Sequence, residues 1–336
     1  MKKTVLHGGP GSTPPPLSRI SFTLALFVVS FLCSAGEMQA VPDQTPSILR
    51  DRIDAAADML KDQPTLHAFS KERRRETIQF VIGNLLFVLL HEMGHVQVTE
   101  MGLPVLGREE DAADSYAAVK MLALKDAFSD RVLTEAARGW FYSDRRDRME
   151  GVPIAFYDSH GLSRQRAYQI VCYMVGSDPG KFADLAEEAG LPEDRRRTCR
   201  GDFNNADWSW TKLLQGHLRR TRPRTEIRVR YRETGGRFEV FARIVESVKL
   251  LEAVAQHASN KYAWRAPFTI EAKSCGNGGA DWNLATRSLT LCYEMAEDFA
   301  ALYSAYGTAR PIGERQTQIE QGETTKQMCL PESFGH

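Results

Sequence analysis

The 336-residue chain lacks any net charge, because 43 basic residues balance 43 acidic ones. Its bulk composition therefore does not favour binding to nucleic acid or to an anionic membrane surface. Two arginine-rich stretches, 195–197 and 219–224, are diluted by nearby acids and are typical of solvated faces. The sequence has no internal repeats. It also has no Cys-x-x-Cys pair, which argues against a cysteine zinc ribbon. Its 43% hydrophobic content is sufficient for a buried core.

The first 40 residues have the composition of a secretory signal peptide. A basic segment precedes an apolar run over 20–32, and small residues follow, so that cleavage after Ala35 or Ala40 fits. The run is shorter than the ~20 residues that span a membrane. We expect export to the bacterial periplasm or medium, with no stable membrane insertion after cleavage. A membrane anchor and a lipoprotein at Cys33 are the alternatives.

Export changes the interpretation of the cysteines, since an oxidising compartment allows disulfides. We expect the pairs Cys172–Cys199 and Cys275–Cys292, because each brackets one local unit of the chain. Cys329 is then left over in a polar segment. Free thiols throughout are the alternative.

The remaining chain is predicted to form one domain over 41–305, followed by a flexible tail over 306–336. Its 41–220 part is helical, and strands are confined to 224–305. We therefore expect a mainly α member of the α+β class, with a small antiparallel sheet C-terminal to a helical core.

Hydrophobic periodicity and turn residues predict the individual elements. Helices are expected over 48–62, 70–101, 108–128, 129–150, 163–176, 179–189, 208–220, 243–260 and 294–304. Loops are expected over 151–163 and 192–207, a hairpin over 227–231 and 237–241, and strands over 268–272, 281–283 and 288–292.

The sequence His91-Glu92-Met93-Gly94-His95 lies within the second predicted helix. Residues four apart share a helical face, so both imidazoles can reach one ion. Glu92 points beside that ion, where it can hold a water, and Gly94 leaves room. Mostly apolar residues precede His91, so this face enters a core, where histidines need partners.

A catalytic zinc takes three protein ligands and keeps one open position. Glu110 is our candidate for the third ligand, because the break before it lets its helix fold back antiparallel on the first. Asp114, one turn later, is placed to accept the other ring N–H of His91. Asp111 and Glu109 are expected to face elsewhere, and Glu109 as ligand is the main alternative.

Residues 88–118, with "HEMGH" and "LPVLGREEDAAD", resemble a bacterial family of putative metallopeptidases formerly catalogued as a domain of unknown function. They are also similar to the gluzincin pattern of His-Glu-x-x-His followed by Glu-x-x-x-Asp. The likeness extends through "GSDP" at 176–179 and "CG…W…LCYE" at 275–294. It implies a zincin-like helical core and a zinc metalloendopeptidase that acts on peptide or protein substrates with one Zn2+.

The implied mechanism uses a zinc-activated water, with Glu92 as general base. A donor should also stabilise the oxyanion, and we favour His160, in a loop beside an acid, over Tyr157 and Tyr168. No strand is predicted before His91, so strands near 280–292 must provide any edge that pairs with substrate.

Two other functions remain open at this point. An exported zinc-binding protein without peptidase activity would share the same ligands and would tolerate the loss of Glu92. An intramembrane protease would use the apolar run over 78–90, which is too short for a span.

Overall fold

The structure is a computed structural model, and it describes residues 47–220, 225–308 and 312–313. The expected leader over 1–40 lies outside the described residues, as do Cys33, Cys329 and the tail from 314 onwards.

Helices dominate the described chain. They are α1 Ser47–Met59, α2 Lys71–Met101, α3 Glu109–Leu122, α4 Ala127–Met149, α5 Ser163–Ser177, α6 Ala183–Glu188, α7 Glu193–Leu214, α8 Glu239–Ser247, α9 Leu250–Lys261 and α10 Tyr293–Tyr306. The strands are β1 Ile227–Tyr231, β2 Phe268–Lys273, β3 Ala280–Asn283 and β4 Ser288–Cys292. Short 3-10 turns lie at Leu60–Asp62, Gln215–His217 and Gly236–Phe238. The expected class, mainly α within α+β with the sheet after the helical core, is confirmed.

The longest helix, α2, is the centre of this fold. The Ser70 side chain caps its start by accepting a hydrogen bond from the Arg73 backbone N–H, and Gly102 ends it in the left-handed region at φ 64°. Helices α1, α3, α4 and α10 all pack on α2. Within the described chain, α2 alone is long and apolar enough to cross a membrane, but 78% of its most apolar window is buried by the protein. That burial is typical of a core helix.

The four strands form one sheet in the order β1-β2-β4-β3. The expectation of an antiparallel sheet was wrong in part, because β1–β2 and β2–β4 are parallel and only β3–β4 is antiparallel. β1 and β2 are parallel because α8 and α9, not a tight turn, connect them. β2 and β4 are parallel because the chain between them reverses direction in β3, which pairs antiparallel with β4. The predicted hairpin is absent, since residues 236–247 form a 3-10 turn and α8 instead of a second strand.

Two other boundaries were mispredicted. The expected helix over 108–128 stops at Leu122, because Lys125 takes a left-handed conformation at φ 54° and Asp126 caps the next helix. The expected loop over 192–207 is helical and belongs to α7. Pro192 precedes its first turn, which carries two acids, Glu193 and Asp194. Both features favour a helix start.

Both expected disulfides are present. Cys172–Cys199 joins α5 to α7, and Cys275–Cys292 joins the segment after β2 to the end of β4. Each therefore ties together two neighbouring elements of the core.

Candidate metal centre

The two motif histidines lie on one face of α2, and this face packs on α3. Gly94 sits between them at the closest approach of the two helices. A Cβ added to Gly94 would lie 2.9 Å from the Cα of Ala113. The missing side chain thus makes room for α3 itself, and this close contact brings the acids of α3 to the imidazoles.

Three ligand-type atoms converge at this contact. His91 Nε2 lies 3.1 Å from Glu110 Oε2, His95 Nε2 lies 3.4 Å from the same oxygen, and the two Nε2 atoms are 3.2 Å apart. Tetrahedral ligands at zinc distances of about 2.0–2.1 Å are separated from one another by about 3.3–3.4 Å. The triangle of His91, His95 and Glu110 therefore has the size that one zinc ion requires.

The other ring nitrogen of His91 is held from behind, as expected for Asp114. His91 Nδ1 donates to Asp114 Oδ1 at 2.7 Å, and this bond leaves Nε2 directed at Glu110. Arg166 on α5 donates to both oxygens of Asp114, at 2.7 Å each. The Arg166 guanidinium in turn lies 3.7 Å above the ring of Trp140. Sequence reasoning missed Arg166, because nothing in the chain around it distinguishes it from other arginines.

The second imidazole has its own acid, which sequence reasoning placed wrongly. Glu109 was expected to face away, but its Oε1 accepts from His95 Nδ1 at 2.8 Å. Its side chain is 42% exposed, and Glu110 is the acid that points between the two Nε2 atoms. Glu109 is thus positioned to orient His95, as Asp114 orients His91.

His160 also reaches the cluster, from the loop between α4 and α5. Its Nε2 lies 2.9 Å from Glu110 Oε2, and its ring stacks at 6.3 Å on that of His91. Asp158 fixes it by accepting from both its backbone N–H, at 2.8 Å, and its Nδ1, at 3.2 Å. His91, Glu110 and His160 are close enough to share a metal. The geometry thus allows His160 either to bind the ion or to donate to a ligand beside it.

The two tyrosine alternatives are placed differently. Tyr157 is 93% exposed on the turn before His160, and Tyr168 packs edge-on against Phe141.

The charges of the cluster are strongly coupled. Hydrogen bonds from His160, His91 and His95 hold the pKa of Glu110 far below its usual value. Burial lowers the pKa of His95, but hydrogen bonds with Glu110 and Glu109 outweigh it and raise that pKa to about 9. The same balance, with Asp114 as the main partner, raises the pKa of His91. The acids therefore create a site that favours a cation, and a divalent ion would take the place of these protons.

Glu92 lies in the same cluster. Within the part of the chain that the structure describes, its carboxyl makes no hydrogen bond with His91, His95 or His160. It is 7% exposed, and burial raises the pKa of its carboxyl, while the nearby His91 and His95 oppose that rise. A buried carboxyl with a raised pKa beside a cation site is suited to taking up and releasing a proton.

The hairpin of β3 and β4 is fixed to the same helix. Trp282 Nε1 on β3 donates to Thr99 Oγ1 at 2.9 Å, and Thr99 Oγ1 donates to the backbone oxygen of His95 at 2.9 Å. Arg287, in the turn of the hairpin, pairs with Glu100 at 2.6 Å. Strand β3, at the end of the sheet, therefore lies along the helix that carries the motif.

A wide groove lies on the other side of α3. It has a volume of about 1220 Å3, and Asp111, Ala112 and Ser115 line it from α3. It shares Asp114 and Arg166 with the metal centre, but neither motif histidine lines it. The groove is therefore separate from the place where the three ligand-type atoms meet.

Residues 50–214 match the family described as "Putative metallopeptidase". This range includes α2, α3 and the His160 loop. No curated protein and no solved structure matches the chain.

Proposed function

Because the chain belongs to this metallopeptidase family through residues 50–214, we propose that it is a zinc-dependent endopeptidase. His91, His95 and Glu110 hold one zinc ion, and Glu92 is the general base. The observation that supports this most directly is the triangle of ligand-type atoms, with sides of 3.1, 3.4 and 3.2 Å.

The donor set also fits zinc in its chemistry. Two neutral imidazoles and one carboxylate form a common catalytic zinc site, which leaves one position open. Each imidazole has a carboxylate on its other nitrogen, Asp114 for His91 and Glu109 for His95. Such partners fix the tautomer and raise the basicity of the ligand.

Zinc, when bound, supplies a Lewis acid that polarises a carbonyl and lowers the pKa of a water to ~7. Glu92, buried beside the ligands, accepts the proton of the attacking water and passes it to the leaving amine. His160, oriented by Asp158, donates a hydrogen bond to the oxyanion that develops on the substrate. Its place 2.9 Å from Glu110 Oε2 puts it at the edge of the ligand triangle.

Strand β3 supplies the surface for a peptide. A terminal strand offers backbone N–H and C=O groups that pair with an extended chain. Trp282 and Arg287 fix β3 on α2, so a peptide paired with it would run past the zinc ligands. This arrangement favours hydrolysis of a peptide bond over that of a small ester or phosphate.

We also propose that the protein is exported. Its two disulfides are typical of extracellular or periplasmic proteins, and residues 1–40 have the pattern of a cleaved leader.

The test compares purified wild type with Glu92→Gln, His95→Ala and Glu110→Ala. We expect one zinc per wild-type chain, full zinc in Glu92→Gln, and strongly reduced zinc in the two ligand variants. Cleavage of casein or a peptide library should be seen with wild type only. Unchanged zinc in both ligand variants would refute the metal site. Zinc binding without any cleavage would instead favour a binding protein that is not a peptidase.

A further inference from the structure

The last strand of the sheet, β3, carries one exposed acid, Asp281. Strand β3 alternates, so that Ala280 and Trp282 are half-buried while Asp281 and Asn283 are exposed. Asp281 pairs in register with Thr290 of β4, which in turn pairs with Glu271 of β2. Its side chain thus lies on the polar face of the sheet, at the edge formed by β3.

The Asp281 carboxylate has no cation among the described residues. The other acid in its row, Glu271, is paired with Lys273 at 2.7 Å and with Arg232 at 3.3 Å. Asn283, the next exposed residue on β3, uses its side-chain oxygen to accept from the Thr286 N–H. Asp281 is therefore the only charged residue of β3. Its carboxylate is available to a chain that pairs with the unpaired edge of this strand.

Asp281 is also close to the metal centre. The next residue, Trp282, is bonded through Thr99 to the backbone of His95. A chain paired with β3 at Asp281 would thus lie beside the reacting groups.

We propose that Asp281 selects substrates with a lysine or arginine at the position that pairs directly with it on the open edge of β3. The inference rests on the proposed peptidase function and names a substrate class for that site. Residues directly opposite in an antiparallel pair have Cβ atoms about 4.5–5.5 Å apart and lie on the same face. A basic side chain there meets the carboxylate, while an acidic one meets a like charge.

The pattern of strand pairing also limits the effect to one substrate position. The substrate residues before and after that position point to the opposite face, toward Ala280 and Trp282, and neither of these two residues is charged. The expected preference is therefore a single basic position within an otherwise permissive segment. Because the pair is exposed, we expect about a two- to fivefold effect that weakens with salt.

The experiment uses zinc-loaded full-length protein with Glu92→Gln, which keeps the site but stops turnover. Fluorescent peptides carry Lys, Gln or Glu at one position at a time, and their Kd values are measured by anisotropy. Asp281→Asn and Asp281→Lys are added to this background. The control is Glu187→Lys, an exposed acid on α6. The uncharged Asp281→Asn side chain is close in size to the original, so it provides a folded variant if Asp281→Lys is unstable.

At one position we expect Lys peptides to bind about two- to fivefold more tightly than Gln peptides, and Glu peptides more weakly. Asp281→Asn should remove this difference, Asp281→Lys should invert it, and Glu187→Lys should leave it unchanged. A preference that survives in both Asp281 variants, or the absence of any charge preference, would overturn the inference. Cleavage of the Gln peptides by the protein with Glu92 intact tests the proposed function separately, because the Kd series does not depend on turnover.

Discussion

Asp114→Asn gives the sharpest test of the proposed metal centre, because the substitution is nearly isosteric and would affect a bound zinc only through His91. The carboxylate accepts from His91 Nδ1 and from Arg166, all at 2.7 Å. Its neutral replacement can still accept from His91, but it no longer supplies the charge that makes that ligand basic. Loss of such a partner typically weakens metal binding 10–100-fold, or about 1.4–2.7 kcal/mol.

The same substitution leaves Arg166 without its counter-charge. The Arg166 and Asp114 side chains are 10% and 11% exposed, and breaking a buried pair costs about 3–5 kcal/mol. We expect the lower end, about 3 kcal/mol, because Arg166 keeps its stacking on Trp140. Arg166→Met combined with Asp114→Asn should restore part of that stability, because no unpaired charge is then left buried, while zinc affinity stays weak.

Two measurements separate these effects. A chromophoric chelator in competition reports zinc affinity, and urea unfolding of the zinc-free protein reports stability without the metal. The matched control is Asp111→Asn on the same helix, an acid 52% exposed that pairs with Arg108 and should change neither quantity by much. Wild-type zinc affinity in Asp114→Asn would refute our account of how His91 is held.

Three further predictions follow from other contacts. Gly94→Ala should cost about 1–3 kcal/mol of unfolding free energy and weaken zinc binding, because its Cβ would lie 2.9 Å from Ala113. The control is Gly201→Ala on α7, whose Cβ would meet nothing within 4 Å. This control should be neutral or stabilising in the same urea titration. His160→Ala should keep one zinc by metal analysis and lower kcat about 10²–10³-fold, and loss of the zinc would make His160 a ligand instead. Burial lowers the pKa of Lys120 in the folded protein to about 8, whereas the pKa of a lysine in the unfolded chain is ~10.4. Between these two pH values the unfolded chain therefore binds more protons at this residue than the folded protein does. Stability should rise with pH across that window, and Lys120→Met should remove the rise and stabilise the protein at neutral pH by on the order of 1 kcal/mol after solvent screening.

The local elements that sequence reasoning predicted well carry their own start and stop signals. The expected bounds of α2 were nearly right, because a serine cap and a left-handed glycine mark its ends. The prediction of a loop over 192–207 and a helix over 208–220 was wrong in its boundaries, because one helix, α7, covers Glu193–Leu214. In α7 the polar residues face solvent, and the disulfide at Cys199 fixes the helix on α5, so packing outweighs the weak periodicity.

The sheet illustrates a second limit. Alternation of apolar and polar residues placed β1 correctly, but it could not say which strand would pair with it. A turn-like Gly-Gly pair suggested a hairpin, yet the following residues form α8, whose buried Phe241, Ile244 and Val245 need an apolar face. The partner of β1 is β2, about forty residues later, in a parallel register.

Local sequence patterns are enough to identify the residues that could form the metal centre. Spacing of four along a helix brings His91 and His95 to one face, and a break before Glu110 allows its return. These relations are local, so a linear pattern can contain them. Our assignment of these three residues as the zinc ligands remains a proposal that metal analysis will test.

The surroundings of those residues depend on long-range packing. Arg166 and His160 come from elements some fifty residues beyond the acids that they contact, Asp114 and Glu110. Strand β3 lies nearly two hundred residues after the part of α2 that it contacts. No local pattern encodes such contacts, because they depend on how whole helices and a sheet pack together. The packing of α3 on Gly94 likewise turned Glu109 toward His95, which the charge pattern of the helix start could not reveal.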